Sequence, residues 1–214
     1  KICKEHNVPL VVDEAHGCLW NFSSRLPVSA LSCGADIVVH SLHKTGGSMS
    51  QTSMLHISND SKVDVDTMDK CLKLLHTTSP SLLLLTSLDA ARAHLTSTDG
   101  KKQIDHAVSY AEFLRQAIDE MNNVEYLDLP NLDPTKTFIK VKGLSGKSLE
   151  MILEQDYNIE VESASDIGIL VLSNLGNKLT DFEYLIECLK EIDKTNYSDH
   201  PIIDNKKHMP LLTP

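Results

Sequence analysis

The sequence lacks a long apolar run and has too few basic residues to balance its acidic ones. Its longest near-apolar stretch, around residues 82–85, is far too short for a bilayer, which takes about 20 apolar residues to cross. The 20 Lys and Arg residues are outnumbered by 30 Asp and Glu residues, which gives a net charge of −10. Nucleic acids and anionic membranes both attract clustered basic residues, so we expect neither as a partner.

Paired cysteines are also missing, since the five cysteines form no CxxC motif and no Cys/His spacing typical of a metal site. Scattered thiols are typical of reducing compartments, so we expect a cytoplasmic protein with no bound metal. The chain begins on Lys1 and enters an apolar run at Val8. This start suggests a fragment of a longer protein, for which organelle targeting stays open.

Two apolar runs end abruptly in small and polar residues, a pattern typical of buried strands that reach the edge of a sheet. The first, residues 8–13, is followed by Glu-Ala-His-Gly, and the second, residues 35–40, by Ser-Leu-His-Lys-Thr-Gly-Gly. Open α/β sheets bind ligands at the carboxyl ends of their strands, which is where Asp13 and Lys44 would lie. A lysine opposite a carboxylate suits pyridoxal 5′-phosphate (PLP), because the lysine bonds the cofactor and the acid pairs with its ring nitrogen.

The neighbours of Lys44 favour this chemistry over a lysine that simply reaches solvent, which is the commoner case for an isolated lysine. Ser41 and His43 stand immediately upstream and could bind a phosphate. The two glycines that follow let the backbone approach a ligand closely. His16 comes three residues after Asp13 and could face the same side of the cofactor.

The letters Asp-Glu-Ala-His at residues 13–16 also spell the DEAH box of helicases. In that interpretation Asp13 would bind magnesium, and a P-loop of the form G-x-x-x-x-G-K-[ST] would cradle the phosphates. The sequence contains no P-loop, no Ser-Ala-Thr motif and no Arg-rich second domain. A net negative charge is also wrong for gripping a nucleic-acid backbone. The helicase interpretation is therefore the weaker one.

Downstream of the motifs, helical periodicity predicts a helix over residues 62–76. Ser79 is a plausible N-cap with Pro80 at the first helical position, which predicts a buried helix running to about Leu95. A long amphipathic helix is predicted over residues 101–121. Its apolar side would carry Ile104, Val108, Ala111, Leu114 and Ile118.

The pattern changes after Asn122. Strands and helices then follow in the order β-α-β-β-α, which predicts a separate small α+β domain over residues 123–194. The predicted elements are strands over 138–141, 159–162 and 169–173 and helices over 148–155 and 180–192. Residues 1–122 would belong to a larger α/β domain, and the polar residues 195–214 read as an extended tail.

Taken together, four motifs resemble the bacterial-type Orn/Lys/Arg decarboxylases of PLP fold type I. They span about residues 8 to 95 in the order of that family. The motifs are Val-Asp13-Glu-Ala-His16-Gly, Ser41-Leu-His43-Lys44-Thr, Ser50-Gln-Thr-Ser-Met-Leu-His and Thr77-Thr-Ser-Pro-Ser-Leu. The resemblance implies an α/β fold: the C-terminal part of an aminotransferase-like large domain, followed by a small α+β domain.

The resemblance also implies a role for each matching residue. Lys44 would be the Schiff-base lysine, and Asp13 would hold the ring nitrogen. Ser41 and His43 would bind the cofactor phosphate, and His16 would lie near the ring's 3-hydroxyl. Lys44, Asp13 and His16 are thus the predicted catalytic residues.

Two further implied positions lie outside the central motifs. Thr77 and Ser79 would lie close to the phosphate of a neighbouring subunit, because these enzymes build their sites at the interface of a homodimer or larger homo-oligomer. Glu162, in the small domain, is a weaker candidate for the substrate entrance.

The implied reaction is loss of the α-carboxylate from arginine, lysine or ornithine as carbon dioxide, leaving the corresponding amine. Two alternatives stay open, because a fold does not fix a reaction. One is a different fold-type-I PLP enzyme, such as an aminotransferase or lyase. The other is a truncated or degenerate homologue that acts as a non-catalytic partner subunit.

Overall fold

The computed structural model describes residues 2–197, which divide into two compact units. The first unit contains residues 2–109 together with Asn131–Pro134 and Asn174–Asn177, and the second contains Tyr110–Pro130, Thr135–Ser173 and residues 178–197. The division falls earlier than residue 122, where the sequence suggested a domain boundary. Most of the predicted tail lies outside the described residues.

The first unit is built on a three-stranded sheet in the order β1-β2-β3. Strand β1 covers Val11–Asp13, β2 covers Ile37–His40 and β3 covers Met54–Ile57. Strands β1 and β2 are parallel, with Asp13 opposite Val39, whereas β3 is antiparallel to β2. The two apolar runs therefore form adjacent strands that end at the same edge of the sheet.

Only one of the two runs is buried as predicted. The central strand β2 is enclosed, with Val38 fully buried, but Val11 in β1 is 60% exposed. The prediction of a buried first strand is wrong for the described residues, because β1 is the edge strand of this sheet and has a neighbour on one side only. An apolar composition indicates a strand but does not fix its place in the sheet.

Asp36 fastens the start of this sheet. Its carboxylate accepts hydrogen bonds from the backbone N–H groups of Leu10 at 2.8 Å and Lys62 at 2.9 Å. These two bonds hold the pKa of Asp36 below its ordinary value, and the bond from Leu10 has the larger effect. A single side chain thus joins the segment before β1 to the segment after β3.

Asp36 predicts a pH dependence of folding. Because its pKa is lower in the folded than in the unfolded state, its stabilisation is present at neutral pH and is lost as the pH falls below about 4. We expect Asp36→Asn to lower the free energy of unfolding at neutral pH, with the difference from wild type shrinking in acid. Urea unfolding across this pH range measures both, with Asp66→Asn as a control. A constant difference at all pH values would contradict the assignment.

Three helices follow the sheet: α3 over Val65–Leu75, α4 over Leu82–Thr96 and α5 over Thr98–Ile118. They come after two short ones, α1 over Ile2–Glu5 and α2 over Leu42–Thr45. Helix α3 begins where the Asp64 carboxylate accepts from the Thr67 N–H at 2.8 Å. Its predicted existence is confirmed, but none of its residues is buried.

The predicted start and burial of α4 are wrong. Its N-cap position is Ser81 rather than Ser79, because the Thr77 hydroxyl accepts from the Ser79 N–H at 3.2 Å and holds that stretch in a turn. Only Ala91 and Leu95 of this helix are buried. Of the four leucines in its first turn, which suggested a buried helix, Leu82, Leu83 and Leu85 are exposed and Leu84 is partly buried.

Helix α5 confirms its predicted apolar side. All five residues predicted to share that side are at most 2% exposed: Ile104, Val108, Ala111, Leu114 and Ile118. Ile104 and Val108 pack in the core of the first unit, and Leu114 and Ile118 in the core of the second. The division between the units therefore falls within α5 and not at its end.

The second unit has a four-stranded antiparallel sheet in the order β4-β5-β7-β6. Its strands and helices cover Val124–Tyr126 (β4), Lys136–Val141 (β5), Gly146–Tyr157 (α6), Ser163–Ala164 (β6), Ile169–Leu172 (β7) and Leu179–Asp193 (α7). The predicted order is confirmed from β5 onward, while β4 was not predicted. The strand predicted over 159–162 is wrong, since only Ser163 and Ala164 pair with β7.

None of the helices within residues 2–197 combines the length and apolar character needed to cross a membrane.

Candidate active site

The candidate site lies where the parallel strands β1 and β2 end. Asp13 is the last residue of β1, and Ser41 follows the last residue of β2. The Ser41 N–H donates to the Ala15 carbonyl at 3.1 Å, which joins the two segments beyond the strands. The structure thus brings the Asp13 and Lys44 segments to one edge of the sheet, as the sequence predicted.

Asp13 is exposed at this edge. Its Oδ1 accepts a hydrogen bond from the Ala15 N–H at 3.1 Å, so the side chain turns back over the loop that follows β1. His16 lies further along the same loop and is partly buried. A carboxylate held in this way at the carboxyl end of a parallel strand is accessible to a ligand.

Helix α2 presents Lys44 to solvent. It is a single turn with Ser41 at its N-cap position, and the Lys44 N–H donates to the Ser41 carbonyl at 3.1 Å. Leu42 and Thr45 are buried, while His43 and Lys44 are exposed. The helical period therefore places Leu42 and Thr45 on the buried side of this turn and His43 and Lys44 on its exposed side.

The ring of His43 is oriented by the loop that follows. Its Nδ1 lies 2.7 Å from the carbonyl oxygen of Thr52. Because a carbonyl only accepts, Nδ1 carries the hydrogen, and Nε2 is left for a second partner. Thr52 is only 3% exposed, and its hydroxyl donates to the Met49 carbonyl at 2.6 Å and contacts the Ser48 hydroxyl.

The two glycines after α2 each have a steric role. A Cβ on Gly46 would lie 3.0 Å from the Leu42 carbonyl oxygen and 3.2 Å from the Cys18 sulfur, tighter than most such contacts. Gly47 has φ of +82°, in the region that favours glycine. Burial raises the pKa of the Cys18 thiol, whose sulfur lies 3.1 Å from the Thr45 hydroxyl. The turn beneath Lys44 is therefore close-packed.

A buried polar cluster that the sequence patterns did not predict lies behind these strand ends. Glu14 is 6% exposed, and its Oε2 accepts from Nε2 of His40, itself 4% exposed, at 2.8 Å. The ring of His56 meets that of His40 edge to face, with centroids 4.7 Å apart. The available signal was strand alternation, because the residue after the exposed Asp13 must point the other way.

Comparison with known proteins agrees with this geometry. Residues 1–138 match the family model for the major domain of Orn/Lys/Arg decarboxylases. The chain belongs to this family. An arginine decarboxylase from Bacillus cereus is 38% identical over 208 residues, which cover 91% of this chain and 44% of that protein. The decarboxylase-family chain thus spans less than half the length of this curated relative.

Solved structures show the same fold. The constitutive lysine decarboxylase of E. coli superposes with a TM-score of 0.76 at 21% identity, over 90% of this chain and 34% of that one. A NifS-like protein from Rickettsia africae superposes with a TM-score of 0.67 at 19% identity, over 91% of this chain and 56% of that one. The predicted PLP fold type I is confirmed.

The remaining predicted site residues lie in other segments. Thr77 and Ser79 are exposed in the connection between α3 and α4, and Glu162 is exposed in the second unit. The structure therefore brings five predicted residues to the carboxyl ends of strands β1 and β2: Asp13, His16, Ser41, His43 and Lys44. It places Thr77 and Ser79 on a different stretch of the decarboxylase-family chain.

The gathered residues fit PLP. An exposed lysine amine suits the cofactor aldehyde, and an exposed carboxylate suits its ring nitrogen. The Ser41 hydroxyl can donate to a phosphate, and so can Nε2 of His43 in the imidazolium form, in which both ring nitrogens carry a hydrogen. This set combines one amine, one carboxylate, one hydroxyl and one imidazole at the ends of two adjacent strands.

Proposed function

We propose that the full-length protein containing this chain is a PLP-dependent decarboxylase of a basic amino acid, namely arginine, lysine or ornithine. The observation that carries the proposal is the placement of exposed Asp13 at the end of β1 and of exposed Lys44 just after the adjacent parallel strand β2. Membership of the Orn/Lys/Arg decarboxylase family supports it. So does the similarity to an arginine decarboxylase.

The proposed roles follow from the chemistry of each side chain. PLP, when bound, supplies an electron-poor ring that takes up the electron pair released as the substrate carboxylate leaves. Lys44 would hold the cofactor covalently through its amine. The Asp13 carboxylate keeps a proton on the ring nitrogen, because a neighbouring negative charge favours the protonated form.

Phosphate binding is assigned to Ser41 and His43, with Thr52 holding the His43 ring in place through its carbonyl oxygen. His16 is proposed to contact the 3-hydroxyl of the ring. Thr77 and Ser79 are proposed to approach the phosphate bound by a second subunit. The distal cation of a basic substrate would be attracted by an acidic group, a role for which the family resemblance suggests Glu162.

Carbon dioxide release tests this proposal. We expect the full-length protein with PLP to release carbon dioxide from at least one of arginine, lysine and ornithine, and not from norleucine, which lacks the distal cation. Mass spectrometry of the products identifies the amine. A keto acid in place of an amine would instead indicate an aminotransferase. No product at all would favour a non-catalytic partner subunit.

We also propose that this decarboxylase acts as a homodimer in the cytoplasm. All five cysteines are free thiols, which suits a reducing compartment.

Large apolar side chains stand exposed around the connection between α3 and α4, and such a patch is typical of an interface. They are Leu74, Leu75, Leu82 and Leu83, which are 85%, 83%, 77% and 73% exposed.

If the exposed leucines around the connection between α3 and α4 form an interface, a charge introduced there weakens self-association. We expect Leu83→Glu in the full-length protein to weaken self-association by about tenfold or more, because burying an unpaired carboxylate in an apolar contact is costly. Light scattering during size-exclusion chromatography measures the assembly. Ile167→Glu, at an exposed apolar residue of the second unit, serves as the control. Equal behaviour of the two variants would contradict an interface here.

A further inference from the structure

The buried Glu14 carboxylate lies directly behind the candidate site. It adjoins Asp13 in sequence but faces the interior, where it is 6% exposed. A buried carboxylate is costly unless hydrogen bonds and charges compensate it. Its partners are therefore the first indication of what it does.

Both carboxylate oxygens of Glu14 are engaged. Oε1 accepts from the Ala30 N–H at 2.7 Å, and Oε2 accepts from His40 Nε2 at 2.8 Å. The Glu14 N–H in turn donates to the Val39 carbonyl at 3.0 Å. One residue thus ties the end of β1 to the end of β2 and to the loop before β2.

The surroundings keep this pair in place. A Cβ on Gly17 would collide with the Cγ of Glu14, and the Gly17 N–H donates to the Glu14 carbonyl at 2.8 Å. On the other side, His56 packs its ring against His40. Burial and then the neighbouring His40 lower the pKa of His56, although Glu14 acts in the opposite direction. The neutral form of His56 carries no positive charge that could draw the Glu14 carboxylate away from His40.

We propose that Glu14 and His40 form a positioning pair for the cofactor site, a role that rests on the proposed function. Asp13 immediately precedes Glu14, and Ser41 immediately follows His40. The bond between the two buried side chains therefore fixes the spacing of the two segments that carry the ring-nitrogen carboxylate and the cofactor lysine. Small errors in this spacing weaken cofactor binding, because the contacts to a cofactor depend on distances within a few tenths of an ångström.

The test compares PLP binding by the full-length protein and its variants. We expect Glu14→Ala to weaken PLP affinity by about tenfold or more, read from the absorbance of the cofactor–lysine bond during titration. His40→Ala is expected to cost a similar factor. The double variant should bind no worse than the weaker single variant, because either change already breaks the same bond. Asp69→Asn, in an exposed ion pair of α3, should stay within about twofold.

Thermal unfolding identifies variants that keep the native fold. If Glu14→Ala does not fold, Glu14→Gln replaces it, since the amide oxygen still accepts from Ala30 while the charge is lost. We expect Glu14→Gln to bind PLP less tightly than wild type but better than Glu14→Ala. Wild-type affinity in a folded Glu14 variant, or additive losses in the double variant, would overturn the positioning role while the proposed function stands. No PLP binding by the wild type would overturn both.

Discussion

Decarboxylation by the full-length protein is expected to fall by at least about a thousandfold when Lys44 is replaced by alanine. Lys44 stands exposed on the single turn of α2, at the strand edge that also carries Asp13. Without this amine the site would lack the group that holds the cofactor covalently and that the substrate amine would replace. Free PLP would leave only a slow background reaction.

Lys73→Ala is the matched control for this change. Lys73 is an exposed helical lysine whose partner is the exposed Asp69, and such surface pairs contribute little to stability. We expect Lys73→Ala to keep wild-type decarboxylation, measured as carbon dioxide release under saturating PLP. Undiminished release by Lys44→Ala would contradict the assignment of the cofactor lysine.

Replacing Asp13 by asparagine is expected to lower the rate of decarboxylation by about a hundredfold or more. Asparagine has nearly the same shape and can still accept from the Ala15 N–H, as Asp13 does. It carries no negative charge, so it cannot favour a protonated ring nitrogen. The negative charge left on the α-carbon of the substrate when carbon dioxide departs would then be less well stabilised, while Lys44 could still hold the cofactor.

This split between binding and rate distinguishes Asp13 from Lys44. The Asp13→Asn protein should still show the absorbance of the cofactor–lysine bond, although carbon dioxide release is nearly lost. Asp60→Asn, at an exposed carboxylate of the first unit, is the control and should behave as wild type. Wild-type turnover by Asp13→Asn would remove the ring-nitrogen role.

Local sequence patterns predicted the elements of the site. The apolar runs that end in Asp13 and His40 gave two adjacent strand ends, and the 3.6-residue period identified the apolar side of α5. These features depend on residues close in sequence, where alternation and periodicity act directly. The close approach of Gly46 and Gly47 to a ligand stays a prediction, while the structure shows Gly46 packed against Leu42 and Cys18 and Gly47 at a φ of +82°.

Features that depend on distant residues were not predicted. The pairing of Glu14 with His40 joins the residue that follows β1 to the last residue of β2. Strand alternation can place Glu14 on the opposite side from Asp13, but it does not identify His40 as its partner. The exposure of Val11 and of the first turn of α4 depends on which surfaces a neighbour covers. An apolar segment indicates that its surface favours burial, but it does not identify which neighbouring segment or subunit covers it.

Borohydride reduction of the full-length protein with PLP, followed by peptide mass spectrometry, tests the central claim most directly. Reduction makes the bond between cofactor and lysine permanent, so the modified peptide identifies the lysine. We expect an absorbance band that borohydride removes, with the added mass on the peptide containing Lys44 and none in Lys44→Ala. A band with its mass on another lysine, or no band from the full-length protein, would contradict it.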